Sequence, residues 1–155
     1  MSIYERFGVH TRINAAGLLT RLGGSLMPVE VLDAMTEAAG SFVDMAELQA
    51  AASAVIARYT GAEAGLVTSG AAAGLTLGTA ACLAGLDAAR MDRLPETGDL
   101  PNEVVMCRTH RTGYDHAIRA AGAQIREVGF NDRATGAGVR DVEAWELEAA
   151  ITPRT

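Results

Sequence analysis

Residues Leu66 to Gly74 read LVTSGAAAG, placing two hydroxyls and a glycine between a short apolar run and a run of alanines. If the apolar run is a strand and the alanines open a helix, then Ser69, Gly70 and Ala71 stand where a helix leaves its first N–H groups without intrahelical partners. The positive end of the helix dipole falls at the same point. Such a terminus suits an anion, phosphate above all: Gly70 lets the backbone approach, and the small Ala71 and Ala72 keep side chains clear. Tight packing of a helix on a sheet would favour the same small residues, so the motif by itself leaves both readings open. It is neither a Walker loop, which needs a lysine, nor a G-x-G-x-x-G dinucleotide turn.

Two further groups could carry chemistry. The apolar run Val104 to Cys107 leads through Arg108 into Thr109, His110 and Arg111, so these residues should emerge at the carboxyl edge of the same sheet, where open α/β sheets bind ligands. His110 is placed to stack on a planar ring or hydrogen-bond to it, or else is a solvated loop histidine. Arg111 could hold an anion or only an exposed carboxylate. His116, six residues on and within a helix, reads as structural. The other group lies in Arg12 to Ser25, which is apolar, rich in glycine and punctuated by Asn14, Thr20 and Arg21. It fits neither an amphipathic helix nor a regular strand and reads as an arm crossing another surface. Arg21 could meet a substrate carboxylate or phosphate, or sit in an ordinary salt bridge.

The elements that must position these residues follow from periodicity and punctuation. Val29, Leu32, Met35 and Ala39 share one helical face between Pro28 and Gly40, which suit a start and a stop. Asp44 followed by Glu47 resembles a capping box opening a second helix to Thr60. Ala64 to Thr68 reads as a buried parallel strand and Ala71 to Ala84 as a buried helix without a polar face. Gly85 to Asn102 reads as a polar connection without an element of its own. Strands are expected over Glu103–Arg108 and Ile125–Phe130, with helices over Tyr114–Ala121 and Asp141–Ile151, the last capped by Asp141. Strand and helix thus alternate from Gly65 onward, which implies an α/β fold of parallel strands and right-handed crossovers. Three strands make a thin sheet, and the sequence stops where a fourth should begin. The expected organisation is an N-terminal arm, residues 1–27, followed by two helices and the front of a sheet domain over residues 28–155.

A chain of 155 residues that is 49% hydrophobic can form a real core. The 19 acidic residues outnumber the 13 basic ones for a net charge of −6, and the basic residues are scattered. Nucleic acid and anionic membranes are therefore disfavoured as partners. Cys82 and Cys107 offer no disulfide framework or zinc spacing, and a reducing cytoplasm is expected. The start of the sequence lacks the apolar core of a secretion signal, and no stretch reaches the ~18 apolar residues of a membrane span. All 13 basic residues are arginine; there is no lysine.

Taken together, INAAGLLTRLGGSLMP, VTSGAAAG and HRTGYDHAIRAAGA resemble the N-terminal portion of fold-type I pyridoxal-phosphate enzymes. The branch is that of bacterial selenocysteine synthase, L-seryl-tRNA(Sec) selenium transferase, and D-glucosaminate-6-phosphate ammonia-lyase. The resemblance runs from about Ile13 to Thr155. It implies an incomplete three-layer, aspartate aminotransferase-like large domain and a homodimer acting on a small-molecule amine. It further implies pyridoxal 5'-phosphate with its phosphate held at Ser69, Gly70 and Ala71 and its ring near His110. Asn14 and Arg21 match the family stretch N-x-x-G…T-x-L-G that lines the active site near the dimer interface, although the selenium transferases commonly carry asparagine where Arg21 stands.

Two departures shape the functional expectation. The tRNA-linked enzymes carry an extra N-terminal region where only about a dozen residues precede the first motif here, and the chain is acidic, which favours the ammonia-lyase side. Enzymes of this type also hold the cofactor on a lysine amine, and this chain has no lysine to offer. The expectation is therefore the front part of a lyase that removes an α-proton and a β-leaving group and releases a keto acid and ammonia, inactive as 155 residues alone. A selenium transferase-like enzyme and a non-catalytic oligomerisation or regulatory partner are the alternatives.

Overall fold

The structure is a computed structural model that describes residues 2–132, 138, 139 and 142–155. The chain divides into two compact units, Met1–Ala54 and Val55–Thr155.

The first unit opens with helix α1 (Ile3–Arg6), held by a capping box between Ser2 and Glu5. The arm that follows contains a 3-10 turn, Thr20–Leu22, folded back by an antiparallel bridge between Leu19 and Gly24. That reversal uses φ of +90° at Gly23 and +80° at Gly24, conformations that side-chain-bearing residues rarely adopt. Helix α2 (Val29–Ala38) begins directly after Pro28, as expected, because the proline's missing N–H costs nothing at a helix start. Its apolar face stays open: Val29, Leu32 and Met35 are all exposed. Helix α3 (Met45–Thr60) starts where Asp44 Oδ1 accepts from the amides of Ala46 and Glu47, at 2.8 and 3.0 Å. The cap read from the sequence is thus the cap observed.

In the second unit, helix α4 (Ala71–Ala84) has the predicted bounds. The run before it, residues 64–68, is not a strand. Leu66 and Val67 are 59% and 52% exposed; apolar content suits a segment to a sheet, but its tertiary surroundings decide whether it forms a strand. The buried character expected of α4 is likewise confined to its end, where Leu83 and Ala84 are buried, whereas Leu75 and Leu77 are exposed. Among the described residues, α5 (Ala88–Arg93) and α6 (Asp115–Ala120) pack most closely along it. Helix α5 corrects the reading of Gly85–Asn102 as structureless. Asp87 Oδ1 accepts from Ala89 and Arg90 at 2.9 and 3.1 Å, and that cap starts a six-residue helix before Pro95.

Strands β1 (Glu103–Cys107) and β2 (Gln124–Val128) pair in parallel, Glu103 opposite Gln124 and Cys107 opposite Val128. Helix α6 crosses between them. The core of the unit is Leu83, Ile118, Ala121 and Ala123, with Val104, Met106 and Ile125 from the sheet packed against it. A two-residue antiparallel ladder joins β3 (Asn131–Asp132) to β4 (Gly138–Val139). Helix α7 (Ala144–Ala150) is shorter than the expected Asp141–Ile151, and its capping box is formed by Glu143 with Glu146. Asp141, the expected cap, lies outside the described residues.

The expected third strand of the parallel sheet is therefore missing from residues 64–68, but β1 has a neighbour on each side. The Asn102 carbonyl accepts from Gln124 N on the β2 side, at 2.7 Å. Carbonyl and N–H of one planar peptide point in opposite directions, so Glu103 N faces away from β2, and there it donates to the Arg154 carbonyl at 2.8 Å. Buried Asn102 reinforces the junction, its Oδ1 accepting from Arg154 Nη2 at 2.7 Å and its Nδ2 donating to Thr97 Oγ1 at 2.8 Å.

Candidate functional site

Helix α4 opens directly after Gly70. Gly70 adopts φ +144° and ψ 175°, a region open in practice only to glycine. A Cβ built there meets nothing within 4 Å, so the constraint is the backbone's own and the space beside it is open. No side chain caps the helix and its first turn holds no acidic residue. Thr68 Oγ1 braces the approach by donating to the Gly70 carbonyl at 3.0 Å. Ser69 is exposed beside the uncapped turn. A glycine-led, uncapped helix start with an adjacent hydroxyl can take an anion.

A cleft of about 710 Å³ adjoins this turn. Ala72, Ala73 and Thr76 of α4 form one wall, Thr112, Gly113 and Tyr114 of the β1–α6 connection another, and His116 and Ala117 of α6 complete it. The short side chains of Ala72, Ala73 and Ala117 leave the room. Thr76 Oγ1 donates to the Ala117 carbonyl at 3.0 Å, which holds the two helices in register at the cleft floor. Thr112, Tyr114 and His116 were not read from the sequence as site residues. The available signal was the glycine with a hydroxyl and a phenol beside it just after a strand. His116, read as structural, lies on this wall with its Nδ1 3.1 Å from Arg119 Nη2.

His110 closes a 3-10 turn, Arg108–His110, directly after β1 and is exposed. It is not among the residues that line the cleft. The two possibilities for Arg111 resolve in favour of carboxylates: Nε donates to Asp115 Oδ2 and Nη1 to Glu127 Oε1. This pairing raises the Arg111 pKa, the hydrogen bond it donates to Asp115 being the largest cause. The same hydrogen bond holds the buried Asp115 carboxyl below the ordinary aspartate value. Arg108 Nε donates to the other oxygen of Glu127 at 2.9 Å.

Asn14 and Arg21 belong to the first unit. The Asn14 side chain is used locally, donating to the Gly17 carbonyl at 2.7 Å and accepting from Ala16 N at 2.9 Å. Arg21 is exposed on the 3-10 turn of the arm. Among the described residues no cluster of histidine, cysteine and carboxylate side chains could hold a metal ion, and no helix is long and apolar enough to cross a membrane.

Parallel strands joined through α6, with a glycine-led helix start beside the site, place the second unit in the α/β class. No protein-family model matches the chain. Over 99% of its length it is similar, at 38% identity, to D-glucosaminate-6-phosphate ammonia lyase of Salmonella typhimurium, covering 41% of that protein. A solved structure of D-glucosaminate-6-phosphate ammonia-lyase superposes on the whole chain with a TM-score of 0.90 at 37% identity, again with 41% of the other chain covered. A second relative is 5'-C-glycyluridine monooxygenase-decarboxylase of a Streptomyces species, 36% identical over 98% of this chain and 37% of that protein. The chain thus spans about two fifths of the length of the curated relatives it matches. The resemblance to the ammonia-lyase family carried by the three motifs extends along the entire chain.

Proposed function

We propose that these residues are the cofactor-anchoring part of a pyridoxal-phosphate-dependent lyase acting on a small amino acid or amino-sugar acid. The observation that carries the reading is the similarity to D-glucosaminate-6-phosphate ammonia lyase over 99% of the chain. In this reading residues 1–27 are its arm, residues 28–155 the front of its large domain, and the protein works as a cytoplasmic homodimer. Ser69, Gly70 and Ala71 hold the cofactor phosphate, which the uncapped start of α4 supports. His110 lies against the ring, and Asn14 and Arg21 meet the substrate. When bound, the cofactor supplies an electron sink for the charge left by the departing α-proton.

The two named relatives carry out different reactions, an ammonia lyase and a monooxygenase-decarboxylase. Residues alike in both therefore serve what the two reactions have in common, binding and orientation, and the choice of reaction belongs elsewhere. The same division of labour accommodates the absence of lysine from these 155 residues: the amine that carries the cofactor comes from outside them.

The test is to purify the gene product from its own cells, weigh it intact, and supply pyridoxal 5'-phosphate and D-glucosaminate 6-phosphate. The expected result is a polypeptide heavier than 16.1 kDa that releases ammonia and a keto acid. A product of 16.1 kDa that binds no pyridoxal phosphate would refute the enzyme and leave the non-catalytic partner.

A further inference from the structure

We propose that Glu127 is a positioning residue that fixes the turn presenting His110. The inference rests on the reading of His110 as a cofactor contact. The side chain of Glu127 stands on β2, opposite Met106 of β1 in the ladder. Its two oxygens take one arginine each: Oε2 accepts from Arg108 Nε at 2.9 Å, and Oε1 accepts from Arg111 Nη1. Those arginines bracket Thr109 and His110, so one carboxylate on a hydrogen-bonded strand grips both ends of the turn.

The grip continues on the far side. Arg111 gives its Nε to Asp115, which is buried at the start of α6, and Asp115 Oδ1 accepts from Thr112 N at 3.3 Å. The turn's own closure is weak by comparison, a single Arg111 N to Arg108 carbonyl bond at 3.4 Å. Arg108 and Arg111 would also repel each other without the carboxylate between them.

Exposure decides what the grip is for. The Glu127 and Arg108 side chains are 35% and 48% exposed, and ion pairs as open as these add little to global stability. What they can add is geometry: a reacting or ring-contacting side chain must be held within a fraction of an ångström, and supporting residues do this work. Arg111, at 25% exposure, is the more enclosed arm of the grip.

The experiment uses the native gene product with Glu127→Gln, Arg108→Gln and His110→Ala, and Arg126→Gln as control. Arg126, in the middle of β2, pairs with Glu103 at the start of β1, at 3.6 Å, away from the turn. Two signals are read: amide hydrogen exchange over residues 108–112 without cofactor, and the induced visible circular dichroism of bound pyridoxal phosphate. Glu127→Gln should speed exchange at residues 109–111 about tenfold or more and diminish the dichroic band, with an unchanged urea midpoint; Arg108→Gln, which severs one arm only, should do the same in smaller measure. His110→Ala should diminish the band, and Arg126→Gln should alter neither signal. Unchanged exchange in both Glu127→Gln and Arg108→Gln would overturn the grip. A band that responds to His110→Ala but not to Glu127→Gln would overturn the positioning role. Faster exchange with a band indifferent to both Glu127→Gln and His110→Ala would overturn the reading of His110 instead, leaving the grip itself intact.

Discussion

Thr76 Oγ1 on α4 donates to the Ala117 carbonyl on α6 at 3.0 Å, a tie between residues 41 apart in sequence. The same hydroxyl also reaches the Ala72 carbonyl at 3.1 Å, one turn back in its own helix. The bond to α6 joins two residues that line the cleft. Replacing Thr76 with valine keeps the shape and removes the donor, leaving the Ala117 carbonyl without it. The expected loss is about 1 kcal/mol, read as a lower urea midpoint with an unchanged slope.

Gly122, at the turn between α6 and β2, has φ +100°, and a Cβ there would stand 2.2 Å from the Pro95 carbonyl oxygen. Backbone cannot swing aside as a side-chain end can. Gly122→Ala should therefore destabilise by about 2 kcal/mol or more, strain and overpacking acting together. An equilibrium unfolding curve that overlays the parent would refute this.

Asp115 makes stability depend on pH. Its carboxyl is held below the ordinary aspartate value, first by the hydrogen bond from Arg111. A carboxyl whose native pKa is depressed contributes stability that is fully present above the unfolded value and disappears as pH falls through that value to the native one. The protein should thus lose stability on acidification from pH ~5 toward pH ~2. Asp115→Asn should be less stable than the parent at neutral pH, with the gap between their urea midpoints closing across that interval.

At the start of α4, Ser69→Ala removes one hydroxyl from the proposed phosphate site while leaving the backbone alone. A hydrogen bond to a charged group contributes about 1.5–3 kcal/mol, so pyridoxal-phosphate affinity measured by fluorescence titration should fall about ten- to hundredfold. Gly70→Ala should weaken binding too, and, unlike Ser69→Ala, it should also lower the unfolding midpoint, because φ +144° strains any side-chain-bearing residue.

These residues differ in how visible they were beforehand. Helices α2, α3 and α4 could be placed to within a residue or two because Pro28, Asp44 and Gly70 announce their starts within the local sequence. Residues 64–68 misled for the opposite reason: a short apolar run bounded by glycine and polar residues describes a segment's suitability for a sheet, whereas strand formation depends on tertiary surroundings the sequence does not name. Helix α5 escaped notice because Asp87 alone marks it, among residues that otherwise signal a loop. The glycine-led start of α4 was legible, since a glycine between hydroxyls and alanines is a local pattern. The partners of Arg111 were not: Glu127 lies 16 residues away, and only the parallel pairing of β1 with β2 brings it within reach.

The bond from Glu103 N to the Arg154 carbonyl couples residues 152–155 to the sheet. Arg154 is tied by backbone to β1 and by guanidinium to buried Asn102, while Thr152 Oγ1 donates to Glu103 Oε2 at 2.7 Å. Opening residues 152–155 would uncover Asn102 and free the foot of β1, so these residues should melt with the sheet as one cooperative unit.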